Sequence, residues 1–253
     1  MDKFRKLRTY NFVMGSFHLI QAVAMYLLSN DFKLPITTAY LQFDKQANAL
    51  LPVLKEVAQV RIAPLVALFL LMSAFAHYIL TLPGVYDWYV KNLKKGANYA
   101  RWYEYALSSS LMIVLIAMLV GMYDMSSLIL IFSLNAMMIL FGLMMELHNQ
   151  VTQKTNWTSF LFGSIAGIVP WITIALYLMG SGSGDSKAPD FVYWIFFSIF
   201  LFFNTFALNM FLQYKKIGKW KDYLWGEKMY ILLSLLAKSA LAWQIFAGTL
   251  RPV

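Results

Sequence analysis

Apolar residues in this chain fall in long unbroken runs separated by short polar stretches, without the alternation that marks a half-buried strand. Seven runs reach bilayer length: residues 9–29, 60–82, 98–121, 126–147, 157–180, 190–213 and 225–249. Continuous runs exclude a membrane β-barrel, whose strands alternate lipid-facing and lumen-facing positions. The pattern predicts an all-α membrane protein, a seven-transmembrane-helix bundle built as one domain over residues 1–253.

Most connections are short. About thirty residues, Asn30 to Gln59, separate spans one and two, and Pro83 to Ala97 links spans two and three. Leu34 to Phe43 is rich in β-branched and aromatic residues, which predicts a hairpin outside the membrane. Gly180 to Pro189 reads as a flexible linker. The basic segment Met1 to Arg8 precedes the first run, which lacks a small-residue cleavage site and so reads as a retained span. Pro64 and Pro170 are expected to kink their spans, and Gly163 with Gly167 forms a GxxxG that permits close helix approach.

Composition reinforces this reading: 60% of residues are hydrophobic, 13% are charged and the mean hydropathy is +0.60. The absence of cysteine excludes disulfides and thiolate metal sites. A net charge of +9 does not imply nucleic acid, because the basic residues flank apolar runs instead of forming a stripe. With the N-terminus inside, fourteen basic residues fall on the cytoplasmic side and six on the other. The chain is thus expected to be a multi-pass cell-membrane protein, N-terminus cytoplasmic and C-terminus extracellular, the reverse of seven-helix receptors and light-driven pumps. The basic loop Lys215 to Lys221 suits anionic membrane lipid, with an unidentified cytoplasmic signalling partner as the alternative.

Lys238 breaks the apolarity of the last span. It lies roughly 20 Å along a helix from Trp225, too deep to snorkel easily. A buried ammonium costs about 2.5–3.5 kcal/mol on insertion scales and marks a functional position by default. Glu104, early in span three, is its natural partner, since both spans run in the same direction and both residues lie toward the cytoplasmic half. An ion pair of Glu104 with Arg101 at i, i+3 is the competing reading. Ser108 and Ser234 share helix faces with Glu104 and Lys238 and are placed to hydrogen-bond the pair or, alternatively, to ease helix packing. His18, His77 and Ser73 form an inward polar cluster; without a third clustered ligand no metal site is assigned. Glu146 and His148 are expected to be interfacial and solvated. No phosphate loop, zinc-protease motif or nucleophile triad occurs, so the chain does not read as an enzyme.

Seven helices, a lysine midway along the seventh and a carboxylate early in the third resemble the retinal proteins. The reversed orientation, the long first loop and the segments Trp102-Tyr-Glu104-Tyr-Ala-Leu-Ser108 and Ser234-Leu-Leu-Ala-Lys238-Ser make the chain look specifically like a heliorhodopsin over essentially its whole length. That resemblance implies a rhodopsin-type bundle with all-trans retinal on Lys238 as a Schiff base and Glu104 as counterion. It implies Ser108 and Ser234 beside that nitrogen, and a pocket from Asn135, Met138, Ile139, Trp171, Phe203 and Phe206. It further implies a hydrated cavity around His18, His77 and Ser73, a homodimer through the first-loop hairpin, and a slow photocycle. A proton pump needs a further carrier beyond Glu104, and no acid occurs between Glu104 and Asp124. The expected role is therefore light sensing without transport; light-driven or light-gated ion transport is the alternative.

Overall fold

A computed structural model describes residues 3–182 and 187–252. Its elements are α1 (Lys3–Leu28), β1 (Lys33–Asp44), β2 (Ala49–Arg61), α2 (Ile62–Ile79), α3 (Val85–Leu93), α4 (Tyr99–Leu119), α5 (Met125–His148), α6 (Thr158–Gly180), α7 (Asp190–Tyr214) and α8 (Tyr223–Ile245). All the helices except α3 are long and apolar enough to cross a bilayer, giving seven spans among the described residues. Their boundaries follow the apolar runs because a chain in lipid must satisfy its backbone internally, and the helix does so without a partner.

Local chemistry sets the ends. Asn98, Asp124 and Asp222 cap α4, α5 and α8, each side chain accepting a backbone N–H of the first turn. Asp124, just beyond the end of the third span, is thereby a structural cap. Gly121, at φ +96°, makes the turn between α4 and α5 that a side chain would resist. Pro64 does not break a helical bond, contrary to expectation: it lies in the first turn of α2, where the missing N–H would be unsatisfied anyway. Pro170 does sit inside α6, which continues through it. In the segment Gly180 to Pro189, residues 183–186 lie outside those described.

The helices close a ring, α1 against α2 and α8, and α8 against α7, around α4. α4 packs on α2, α5, α6 and α7 and is the most buried span. Gly163 and Gly167 let α6 approach α5 at Met138 and Phe141. The hairpin is longer than the sequence suggests: β1 pairs antiparallel with β2 from Lys33↔Arg61 to Asp44↔Ala49, with a bulge at Ile36/Thr37. Its base is tied to the bundle by Thr37 N–H donating to the Tyr123 carbonyl at 2.8 Å. Its outer part exposes Tyr40, Leu41, Phe43, Leu50 and Leu54.

Between α2 and α4 the chain forms α3, an element absent from the sequence expectation. This short amphipathic helix buries Tyr89 and Leu93 against Leu7, Leu80, Leu224 and Ile231 at the opposite end from the hairpin. That end, the basic end, also carries most of the lysines and arginines.

Candidate functional site

Lys238 faces inward because α8 buries a stripe at helical spacing: Ile231, Ser234, Lys238, Leu241 and Ile245. Its ammonium donates to Glu104 Oε1 of α4 at 2.7 Å and also to Ser73 Oγ of α2. The Ser73 hydroxyl in turn donates to Glu104 Oε1 at 2.7 Å. The Lys238 and Glu104 side chains are only 4% and 9% exposed, so little solvent screens the pair. Tyr105 lies beneath the ammonium, its ring centroid 5.2 Å away, and its hydroxyl is fixed by the Tyr230 carbonyl at 2.8 Å.

The triangle Lys238–Glu104–Ser73 differs from the expected arrangement in one member. Ser108 and Ser234 are buried beside it, and among the described residues no hydrogen bond within geometric limits reaches their hydroxyls; Ser73 bonds both charges. Ser73 comes from α2, antiparallel to α4, so no spacing along one helix could reveal it. Glu104 does not pair with Arg101, which is engaged elsewhere.

Next to Ser73, one turn on, His77 donates from Nδ1 to Asn11 Oδ1 at 2.7 Å. His18 stacks on it, with centroids 5.6 Å apart and planes 16° from parallel. The His18 ring is fully buried and neither nitrogen has a hydrogen-bond partner among the described residues. The cluster expected from the sequence thus assembles across α1 and α2. Gln21, also near His18 in sequence, is directed to Trp243 Nε1 instead.

A cavity of about 130 Å³ begins at Lys238 and runs among α4, α5, α6 and α7. Ser108 and Ser234 line it, as do Met138 and Ile139 of α5 and Phe203 and Phe206 of α7. Two of the expected residues are elsewhere. Asn135 donates to the hydroxyls of Ser109 and Ser110 at 2.9 and 3.0 Å, joining α5 to α4. Trp171 lies outside the lining, its ring 5.4 Å from that of Phe203. Gly142, Phe160 and Met210, which the sequence did not single out, also line it, together with Trp102 and Gly163. Gly142 matters because a Cβ there would meet the Trp102 indole.

A slender apolar group with a reactive carbonyl carbon suits these residues. The walls are apolar, the amine lies at the cavity's edge beside an anion, and the buried hydroxyls of Ser108 and Ser234 keep unused hydrogen-bonding capacity facing the space.

A second ionic cluster lies toward the basic end. Arg101 donates to Glu146 Oε1 through one Nη and to Glu227 Oε1 through the other. Glu146 Oε2 accepts from Trp102 Nε1 at 2.7 Å and from the Asn98 amide N–H at 2.9 Å. Asn98 Nδ2 donates to Glu227 Oε2 at 2.7 Å. The guanidinium lies between the rings of Trp102 and Tyr230, at 4.5 and 4.0 Å. Glu146 is therefore buried at 2% exposure and not solvated, a correction of the expectation. Glu227 was not anticipated: its acidic neighbours and partners come from α4 and α5.

Residues 7–250 match the family model described as Heliorhodopsin. No curated protein matches the chain in sequence. Among solved structures, the transmembrane domain and linker region of the Salpingoeca rosetta rhodopsin phosphodiesterase aligns with a TM-score of 0.67 at 12% sequence identity. The alignment covers 98% of this chain and 71% of that one. At that identity the likeness shows the fold alone.

Proposed function

The chain belongs to the heliorhodopsin family, and we propose that it is a light sensor that holds all-trans retinal on Lys238 and signals by conformational change without transporting ions. Membership implies a retinal chromophore in a multi-pass membrane photoreceptor. The observation that carries the finer reading is the Lys238–Glu104 pair set at the edge of an apolar cavity. When bound, retinal supplies visible absorption and a photoisomerisable chain attached through a Schiff base.

The protein's own residues do the rest. Glu104 supplies the negative charge that a cationic nitrogen in a low-dielectric site requires. Ser73 holds Glu104 Oε1 and the Lys238 nitrogen on one side, which sets the direction in which the side chain leaves α8. Met138, Ile139, Phe203 and Phe206 exclude water from the cavity, and Ser108 and Ser234 offer hydroxyls close to the nitrogen. Asn135 and Trp171 act behind this wall, one stapling α4 to α5 and the other bracing Phe203. The His18–His77 pair with Ser73 forms the polar compartment on the other side of the ion pair, read here as a hydrated cavity.

The sensory role rests on the lack of an acid between Glu104 and Asp124, with Asp124 committed to capping α5. In this reading a slow photocycle shifts a two-state conformational equilibrium, with no catalytic step in this chain. The excess of basic residues at one end supports a cytoplasmic location for that end and for the N-terminus. The apolar outer part of the hairpin suits a homodimer contact.

Adding all-trans retinal to purified apoprotein tests the chromophore reading. A visible band that disappears in Lys238→Ala is the expected result; no band, or a band that survives the substitution, overturns it. Illuminating proteoliposomes while recording current tests the rest, and a reproducible light-dependent current would establish transport instead.

A further inference from the structure

A polar cavity of about 320 Å³ opens at the basic end, between the α3–α4 turn, the α5–α6 loop, the end of α7 and the start of α8. Four lysines line it: Lys95, Lys154, Lys216 and Lys221. Among the described residues none of the four has a carboxylate within ion-pair distance. The carboxylate in the wall, Glu146, is already committed to Arg101, Trp102 and Asn98. Nearby lysines outside the cavity are engaged differently, Lys3 with Asp222 and Lys219 over the Trp225 ring.

Membrane topology alone would explain basic residues at this end. It does not explain three further features. First, α7 ends in a Schellman turn, Ile217 N–H donating to the Leu212 carbonyl at 3.1 Å and Lys216 N–H to the Gln213 carbonyl at 3.2 Å. Lys216 occupies its left-handed position at φ +54°, where glycine is the unstrained choice. Second, Gln213 lines the cavity at 7% exposure and its Oε1 has no hydrogen-bond partner. It is held against Gly226, where a Cβ would collide with its amide. Third, the α5–α6 loop is clasped shut, Asn149 Nδ2 donating to the Asn156 carbonyl at 3.0 Å and Asn156 N–H to Asn149 Oδ1 at 2.7 Å. The clasp presents Thr152 and Thr155 to the same space.

We propose that this cavity binds a phosphate-bearing anion, the four lysines neutralising it. A lipid phosphomonoester headgroup and a small soluble phosphate share this chemistry. None of the four lysines lines the cavity at Lys238.

Two arms separate the sources. In phosphatidylcholine nanodiscs, inorganic pyrophosphate is titrated by calorimetry; in a second preparation phosphatidic acid is included and retained lipid is counted by native mass spectrometry. Binding in the first arm indicates a soluble ligand, and retention in the second alone a lipid headgroup. Lys154→Gln/Lys216→Gln should weaken the responding arm by roughly tenfold. Lys6→Gln/Lys91→Gln, with the same change in charge at the same end, should weaken it by less than about twofold. Lys216→Gly should raise Tm by roughly 2–4 °C, by relieving the backbone, while still weakening binding. Equal loss in the two double variants, unchanged affinity in Lys216→Gly, or no binding in either arm overturns the proposal.

Discussion

Two buried ionic groups sit about a turn apart on α4, and they are built differently. At Arg101, both oxygens of Glu146 and both of Glu227 accept hydrogen bonds, and the guanidinium is stacked between two rings. At Lys238, both bonds to the carboxylate converge on one oxygen of Glu104, and unpaired hydroxyls and an unpaired histidine stand nearby. In the first group all four carboxylate oxygens are paired, and of the guanidinium nitrogens Arg101 Nε alone has no hydrogen-bond partner among the described residues. The second adjoins a cavity. A buried network whose charges are all paired chiefly rigidifies, whereas unused polar capacity beside a reactive amine marks a place for a ligand. Trp102 joins the two, donating to Glu146 while its ring walls the cavity.

Exchanging the roles of the two groups should fail, and the sharpest break is Lys238→Ala. It is expected to abolish the visible band on reconstitution entirely, with the helical circular dichroism retained. Arg101→Ala should do the opposite. It strands two buried carboxylates and is expected to cost about 3–5 kcal/mol, read as a fall in Tm, before any effect on colour is seen. Between these lies Gly142→Ala, which pushes the Trp102 indole and so disturbs both groups at once; overpacking of this kind costs roughly 1–3 kcal/mol and should also move the absorption maximum. A Gly142→Ala protein with unchanged colour and stability would show that Trp102 does not couple them.

The smallest effect lies outside both groups. Asp222 caps α8 and accepts from Lys3, which, with the Leu224 amide, holds its carboxyl below the usual aspartate value of 3.8. A depressed pKa contributes stability above the unfolded value that is lost as pH falls through the folded one. Wild type should therefore lose its advantage over Asp222→Asn in a Tm series taken below about pH 4. The pair is exposed, so the difference should be no more than about 1 kcal/mol and should shrink with salt.

Much of the fold is legible without coordinates. A 20-residue apolar run in lipid has one way to satisfy its backbone, so span number and limits follow from composition along the chain. α3 escaped because nine residues with two buried side chains, Tyr89 and Leu93, give too short a period to stand out. The ion pair was legible because a lone lysine and a lone acid deep in apolar helices have few alternatives. Glu146 and Glu227 were not, because each lies near the end of a span, where a solvated carboxylate looks the same in sequence as one buried on Arg101.

What the sequence determined by itself, then, is the set of membrane-spanning helices, the hairpin's place between the first two, and the identity of the two charges that must meet. These follow from hydrophobicity and from the cost of an unpaired charge, both properties of single segments. The tertiary structure decided which neutral residue completes the pair, which carboxylates are buried, and which side chains leave a cavity. Those depend on rotation of helices about their own axes and on their distance apart, where a glycine such as Gly142 or a serine on an antiparallel neighbour such as Ser73 counts for more than any pattern along the chain.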